Sequence, residues 1–97
     1  MKILNPHSSD HKGYIREVEE HMENLKDIDI FVASAGFDQG IQDWGHLLYP
    51  GDYTELGRLM KEYSESLCKG RRYALLEGGY NASAIGNNVH HFCQGFK

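Results

Sequence analysis

The chain is organised around the stretch Phe31-Val-Ala-Ser-Ala-Gly-Phe-Asp38, an apolar run that ends in a glycine turn and a carboxylate. A second stretch, Tyr73-Ala-Leu-Leu-Glu-Gly-Gly-Tyr80, repeats the order of apolar run, glycines and chemically useful side chain. Continuous apolar runs are typical of strands that are covered on both faces, as in the parallel sheets of α/β proteins. Because neighbouring parallel strands end at one sheet edge, where such sheets bind ligands, Asp38 and Tyr80 are expected to face one crevice.

Apolar side chains at helical spacing predict three helices around the two strands. A strand, a helix and a second strand of this length form a right-handed βαβ unit, so the predicted fold class is α/β with a partial parallel sheet and flanking helices. The predicted helices cover residues 10–26, 52–68 and about 82–94, and the predicted strands cover residues 30–33 and 73–76. Ser9 or Asp10 is expected to cap the start of the first helix, and Asn81 that of the third. Gly70 is expected to end the second helix, and Gly95 the third.

Glycines and one tryptophan suggest local roles between these elements. Gly36 is expected to supply the backbone freedom with which the chain leaves the first strand. Gly57, inside the second helix, predicts close packing of that helix against the sheet. Residues 39–51 form a loop long enough to suggest a function. Trp44 in that loop either covers the core or a neighbouring domain, or lines a substrate channel.

The composition predicts a small globular protein of a single domain, residues 1–97. Its formal net charge is -4, with 14 acidic and 10 basic residues and no run of Lys or Arg, which argues against a nucleic-acid partner. Cys68 and Cys93 lie far apart without metal-binding spacing and are expected to be buried free thiols in a reducing compartment. No secretory segment or membrane-spanning run is evident, so no membrane partner and a cytoplasmic location are expected.

Two motifs carry a family resemblance. Ser34-Ala-Gly-Phe-Asp38 and Leu76-Glu-Gly-Gly-Tyr80, in this order and about a helix apart, resemble the zinc-dependent histone deacetylase family, which includes the acetylpolyamine amidohydrolases and acetoin-utilisation proteins. Leu4-Asn-Pro6, Ser9-Asp10 and Tyr14 extend the resemblance over essentially the whole chain. It implies that the chain is the C-terminal portion of the deacetylase domain, a fragment of the three-layer α/β/α arginase-deacetylase fold.

The resemblance also implies a chemistry. Asp38 corresponds to the last of the family's Asp, His and Asp zinc ligands, and zinc polarises the amide carbonyl while it lowers the pKa of bound water from about 16 towards 7. Tyr80 corresponds to the tyrosine that donates its O–H to the oxyanion. Gly78 and Gly79 allow the backbone to approach a narrow channel for an acetylated lysine or amine substrate.

Parts of the family pattern are missing from this sequence. The other two zinc ligands and the paired catalytic histidines are expected on segments that the chain does not contain. His90 and His91 are adjacent in a helix and diverge by about 100°, so they are interpreted as surface or packing residues. Asp43-Trp44-Gly45 stands where relatives commonly have Asp-Pro-Leu-Gly. The loop is one residue shorter, so the local pocket wall is expected to differ from that of the relatives. If the chain holds zinc by itself, His46 is the leading second ligand.

Two functions therefore remain open. The chain is either the C-terminal part of a zinc amidohydrolase, inactive alone and without stoichiometric zinc, or a catalytically empty remnant that acts as a protein-interaction module. The expected partner is the missing N-terminal part of the domain or a second copy of the chain. Self-association, most simply as a dimer, is expected through strand edges or through helix faces that carry Tyr14, Val18 and Phe92.

Overall fold

A computed structural model describes residues 2–97 and contains, within them, three α-helices and one two-stranded sheet. The strands are parallel, with Phe31 opposite Arg72 and Gly36 opposite Glu77. The prediction of a mixed α/β fold with a strand–helix–strand unit is confirmed. In chain order the elements are α1 His11–Glu23, β1 Phe31–Gly36, a 3-10 turn Phe37–Gln39, α2 Pro50–Cys68, β2 Arg72–Glu77 and α3 Ala82–Phe96.

Side chains at the helix ends explain where α1 and α3 begin and where α1 stops. The Asp10 carboxylate accepts a hydrogen bond from the Gly13 N–H, and the Asn81 side chain accepts one from the Ser83 N–H, as expected for N-caps. Helix α1 ends at Glu23, three residues earlier than the spacing predicts. The side-chain amide of Asn24 donates a hydrogen bond to the backbone carbonyl of Glu20 and so competes with the backbone hydrogen bond that would continue the helix.

The helices cover one face of the sheet. Phe31, Ala33 and Ala74 pack into the hydrophobic core on that face. On the other face, Val32 and its neighbour Tyr73 are 47% and 46% exposed, and Leu75 is 52% exposed. Strands covered on both faces, as the apolar runs suggest, are therefore not found within residues 2–97, and one apolar sheet face is open.

The expectation that helix faces would lack cover is wrong for two of its three residues. Val18 and Phe92 are each only 6% exposed, and Tyr14 is partly buried against the core. Helix α2 lies between α1 and α3, so each of the outer helices buries its apolar face on it. The open face of the sheet is thus an uncovered apolar surface, whereas the helix faces that carry Val18 and Phe92 are covered.

Helices α2 and α3 approach each other through two glycines. A Cβ atom at Gly57 would collide with the backbone oxygen of Phe92, and a Cβ atom at Gly95 would collide with the backbone oxygen of Thr54. Gly57 therefore allows contact with α3, not with the sheet as predicted. Gly95 does not stop α3, because the helix continues to Phe96 and uses Gly95 for this contact.

The cysteines differ from each other in exposure. Cys68 is buried at the end of α2, whereas Cys93 is exposed, so the expectation of two buried thiols is correct only for Cys68. Within residues 2–97, every helix is too short or too polar to cross a lipid bilayer.

The glycine contact predicts opposite effects for two substitutions in α3. Gly95→Ala should lower the free energy of unfolding by about 1–3 kcal/mol, because its methyl group meets backbone atoms that cannot move aside cheaply. Gly86→Ala should raise it by about 0.5–1 kcal/mol, because a Cβ atom there meets nothing within 4 Å and alanine favours a helix. Urea unfolding followed by circular dichroism measures both. Equal stability of the two variants would contradict the close helix contact.

Candidate functional site

The first feature of the site is Phe37, which fixes the turn that follows β1. Its ring is 2% exposed, stacks on Tyr53 of α2 at 4.9 Å between centroids and meets Phe92 of α3 edge-on at 6.0 Å. The Tyr53 hydroxyl donates a 3.0 Å hydrogen bond to the carbonyl of Gly36. The last residue of β1 and the turn after it are thus attached to both helices, and they carry Asp38 with them.

The hydroxyl of Tyr53 remains a donor because its ionisation is suppressed. Burial raises the pKa of the Tyr53 phenol well above its ordinary value, and the nearby Tyr14 and Asp38 raise it further. The phenol is therefore protonated at neutral pH and can donate its hydrogen bond to the carbonyl of Gly36 at the end of β1.

The second feature is the side chain of Asp38, which lies against glycines from both strand ends. A Cβ atom at Gly78 would lie 2.8 Å from Cγ and Oδ1 of Asp38, and one at Gly36 would lie 3.1 Å from Oδ1. Gly78 also has a φ of +70°, which favours glycine. Gly36 has an ordinary φ of -84°. The predicted need for backbone freedom at Gly36 is therefore wrong, and its missing side chain instead leaves room for the carboxylate.

The loop after Asp38 is tied down by its own backbone. The Gly45 N–H donates to the carbonyl of Asp38 at 2.7 Å, and the Leu48 N–H donates to the carbonyl of Gln39 at 2.7 Å. Leu48 is 1% exposed and anchors the loop in the core. Residues 39–51 are thus a folded segment that holds a defined shape next to Asp38.

The third feature is Asp43, whose role the sequence does not reveal. The residue is 4% exposed, and its carboxylate accepts three backbone hydrogen bonds. Oδ1 accepts from the N–H of Trp44 at 2.8 Å, and Oδ2 accepts from the N–H groups of Tyr80 at 2.7 Å and Asn81 at 2.8 Å. An Asp in a glycine-containing loop commonly accepts hydrogen bonds from nearby N–H groups, so the sequence could suggest a local role for Asp43. It could not predict the hydrogen bond to Tyr80, which lies 37 residues away.

The charge of Asp43 is stabilised by these bonds. Burial by itself raises the pKa of Asp43, but the hydrogen bonds from the backbone of Asn81, Trp44 and Tyr80 together outweigh burial, so the pKa lies below the usual value for Asp. His46 lowers it further. The carboxylate is therefore ionised at neutral pH and accepts all three bonds.

Tyr80 and Trp44 form an exposed aromatic pair beside Asp43. Their ring centroids are 4.7 Å apart and their planes are inclined by 32°, while Tyr80 is 60% and Trp44 77% exposed. Trp44 therefore does not cover the core of the described residues and lies at the candidate site. A shallow open depression surrounds the pair, lined by Gln42, Asp43, Trp44, His46, Tyr80 and Asn81.

The side chains that could bind zinc are spread over the part of the chain that the structure describes. A catalytic zinc ion takes about three protein ligands. Within residues 2–97, no three His, Cys, Asp or Glu side chains come together as a metal site. The described residues thus do not bring together the ligands of a complete zinc site. His90 is exposed and His91 hydrogen-bonds the carbonyl of Asn87, in keeping with surface and packing roles.

Comparison with known proteins agrees with the motifs. Residues 1–96 match the family model described as histone deacetylase domain. The chain is also 32% identical over 88 residues to the type-2 histone deacetylase 1 of Dictyostelium discoideum, an alignment that covers 84% of this chain. The chain spans 6% of the length of that relative. The resemblance predicted from the two strand-end motifs is confirmed.

Proposed function

This chain belongs to the histone deacetylase family, and from that premise we propose that it forms part of the active site of a zinc-dependent amidohydrolase. The substrate would be an acetylated lysine or another acetylated amine. One observation carries the proposal: Asp38 lies against Gly78 where two parallel strands end side by side, and Tyr80 follows two residues later. Ligand sites of α/β sheets occupy this edge.

In the proposed site, Asp38 acts as one zinc ligand. Zinc supplies a Lewis acid for the amide carbonyl and makes water a nucleophile near neutral pH. Phe37 holds the backbone of Asp38 in place, and Gly36 and Gly78 leave space for its carboxylate. The remaining ligands and the catalytic bases would come from the rest of the deacetylase domain, of which this chain is proposed to be the C-terminal portion.

Tyr80 acts as the oxyanion donor in this proposal. Its hydroxyl would donate a hydrogen bond to the carbonyl oxygen of the substrate as negative charge develops there. Such a donor contributes about 3–4 kcal/mol to transition-state stabilisation. Gly78 and Gly79, with φ values of +70° and +117°, would present bare backbone to the acyl chain of the substrate.

One observation favours the alternative of a protein-interaction module. The open sheet face exposes Val32, Tyr73 and Leu75, and each strand has one unpaired edge within residues 2–97. Unpaired edges and exposed apolar faces recruit other chains. We propose that the rest of the deacetylase domain covers this face in the complete protein, and that a second copy covers it when the 97-residue chain is alone.

The purified 97-residue chain should contain far less than one zinc ion per molecule and should not release acetate from acetyl-lysine peptides. One carboxylate cannot replace the set of about three ligands that catalytic zinc requires. Metal analysis after dialysis against a chelator tests this, with Asp38→Asn as the control that should behave identically. Zinc that survives dialysis in the native chain and is lost in Asp38→Asn would contradict the prediction and make His46 the next ligand to replace.

In a protein that joins this sequence to the rest of the domain, Tyr80→Phe should lower kcat by roughly 10²–10³ and leave KM nearly unchanged. The phenylalanine keeps the ring and removes only the donor, whose bond is strongest in the transition state. Steady-state kinetics on an acetyl-lysine peptide measure the effect. Tyr73→Phe, near the start of β2 and away from the strand ends, is a matched control that should retain turnover, and unchanged turnover in Tyr80→Phe would reject the proposed mechanism.

The open sheet face should make the isolated chain a dimer in sedimentation equilibrium. Leu75→Lys should weaken the association by about 10-fold or more, because it removes an apolar side chain worth about 1.5–3 kcal/mol on burial. Ile3→Lys is the matched control, since Ile3 is also exposed but lies outside the sheet, and it should leave the dimer intact. A monodisperse monomer of the native chain at high concentration would rule out this interface.

A further inference from the structure

We propose that Asp43 is the positioning residue of Tyr80. Its buried carboxylate binds the backbone of Trp44 and the backbone of Tyr80 at the same time, and so holds the two aromatic rings as one unit at the edge of the site. This inference rests on the proposed role of Tyr80 as oxyanion donor. It adds a residue whose effect on the reaction acts entirely through Tyr80.

The carboxylate is suited to joining two segments of the chain. Trp44 lies in the loop after β1, whereas Tyr80 and Asn81 lie between β2 and α3. Each carboxylate oxygen has about two acceptor positions, which is enough for one donor on Oδ1 and two on Oδ2. Asp43 is only 4% exposed, and bonds to an ionised acceptor are stronger than neutral ones.

The hydrogen bonds to Asp43 matter for Tyr80 because two glycines, Gly78 and Gly79, come directly before it. Glycine leaves the backbone free to adopt many conformations. The N–H groups of Tyr80 and Asn81 lie on either side of the Tyr80 Cα atom, so Oδ2 of Asp43 fixes the backbone at both points. Asn81 in turn caps α3 through the N–H of Ser83. Tyr80 is thereby attached to a rigid helix.

The ring of Tyr80 is restrained from the other side by Trp44. The two rings lie 4.7 Å apart, and Trp44 is itself held by Oδ1 of Asp43. One carboxylate therefore binds the backbone of both residues whose rings pack on each other. A displacement of about 1 Å in a catalytic group can cost about 100-fold in rate, so this attachment matters for a hydrogen-bond donor.

Asparagine at position 43 would break this arrangement without changing its size. Its amide group has an acceptor oxygen on one side and an N–H₂ donor on the other. In one orientation the amide donor faces the N–H of Trp44, and in the other it faces the N–H groups of Tyr80 and Asn81. Asp43→Asn therefore keeps one side of the connection and loses the other.

The test is nuclear magnetic resonance on the ¹⁵N- and ¹³C-labelled 97-residue chain. In the native chain, the amides of Trp44, Tyr80 and Asn81 should exchange slowly, and cross-peaks should join the rings of Trp44 and Tyr80. In Asp43→Asn, exchange on at least one side should accelerate by about 10-fold or more, and the ring cross-peaks should disappear. Circular dichroism should show that the helices are unchanged.

Asp52→Asn is the matched control. Asp52 is a carboxylate that accepts from the backbone N–H of Tyr49 and pairs with His11, so it shares no hydrogen-bond partner with Asp43. It should leave the exchange of Tyr80 and Asn81 and the ring cross-peaks unaltered. If ring cross-peaks and slow exchange persist in Asp43→Asn, or are lost equally in Asp52→Asn, the inference is wrong.

A second measurement needs no variant. In the native chain, scalar coupling across the hydrogen bonds should join the amide nitrogens of Tyr80 and Asn81 to the carboxyl carbon of Asp43. Its absence, with both amides in fast exchange, would overturn the inference even if Asp43→Asn did not fold.

Kinetics on the protein that joins this sequence to the rest of the domain separate this inference from the proposed function. Asp43→Asn should lower kcat by about 10-fold or more with KM nearly unchanged, and should add little in the Tyr80→Phe background. A full effect of Tyr80→Phe without any effect of Asp43→Asn would reject only the positioning role. No effect of Tyr80→Phe would reject the proposed function, while the resonance data would still decide whether Asp43 holds the two rings together.

Discussion

The burial of Phe37 is the contact on which the site and much of the packing depend. One ring, 2% exposed, touches Tyr53 of α2 and Phe92 of α3 directly after the last residue of β1. It therefore joins three elements at the point where the chain leaves the sheet. The next residue is Asp38, whose backbone position follows from the packing of an apolar neighbour. The carboxylate of this candidate site residue remains partly exposed, while its backbone is placed by the hydrophobic core.

The sequence predicted the elements of the fold better than their contacts. Apolar runs and helical spacing located both strands and all three helices, because these signals are local and periodic. The roles of the glycines were predicted less well. Gly36 and Gly95 were predicted to act on the local backbone, and Gly57 to pack on the sheet. In the structure Gly36 leaves room for the carboxylate of Asp38, while Gly57 and Gly95 let α2 and α3 approach each other. Only a three-dimensional arrangement shows which atoms a missing Cβ would have met.

In the candidate site, too, features of the strands could be predicted from the sequence, whereas contacts between distant loop segments could not. Asp38 and Tyr80 were predicted to lie at one sheet edge because parallel strands bring their carboxyl ends together, and the structure places Asp38 against Gly78, two residues before Tyr80. The connection through Asp43 could not be predicted, because it links backbone groups from two loops and leaves no periodic pattern. The open sheet face has a related cause. The strands carry apolar residues on both sides, as suits the interior of a larger domain, whereas residues 2–97 cover one side only. A continuous apolar run therefore indicates a strand that can be covered on both faces, without showing which residues cover it.

The position of Trp44 gives the protein a convenient optical property. It is the single tryptophan of the chain, and its ring is 77% exposed beside Tyr80 at the candidate site. The aromatic side chains of the buried core are phenylalanine and tyrosine, which contribute little when tryptophan is excited selectively. Fluorescence from this protein therefore originates at the edge of the site. A ligand or a neighbouring domain that covers the indole changes the emission of the whole molecule, without any attached label.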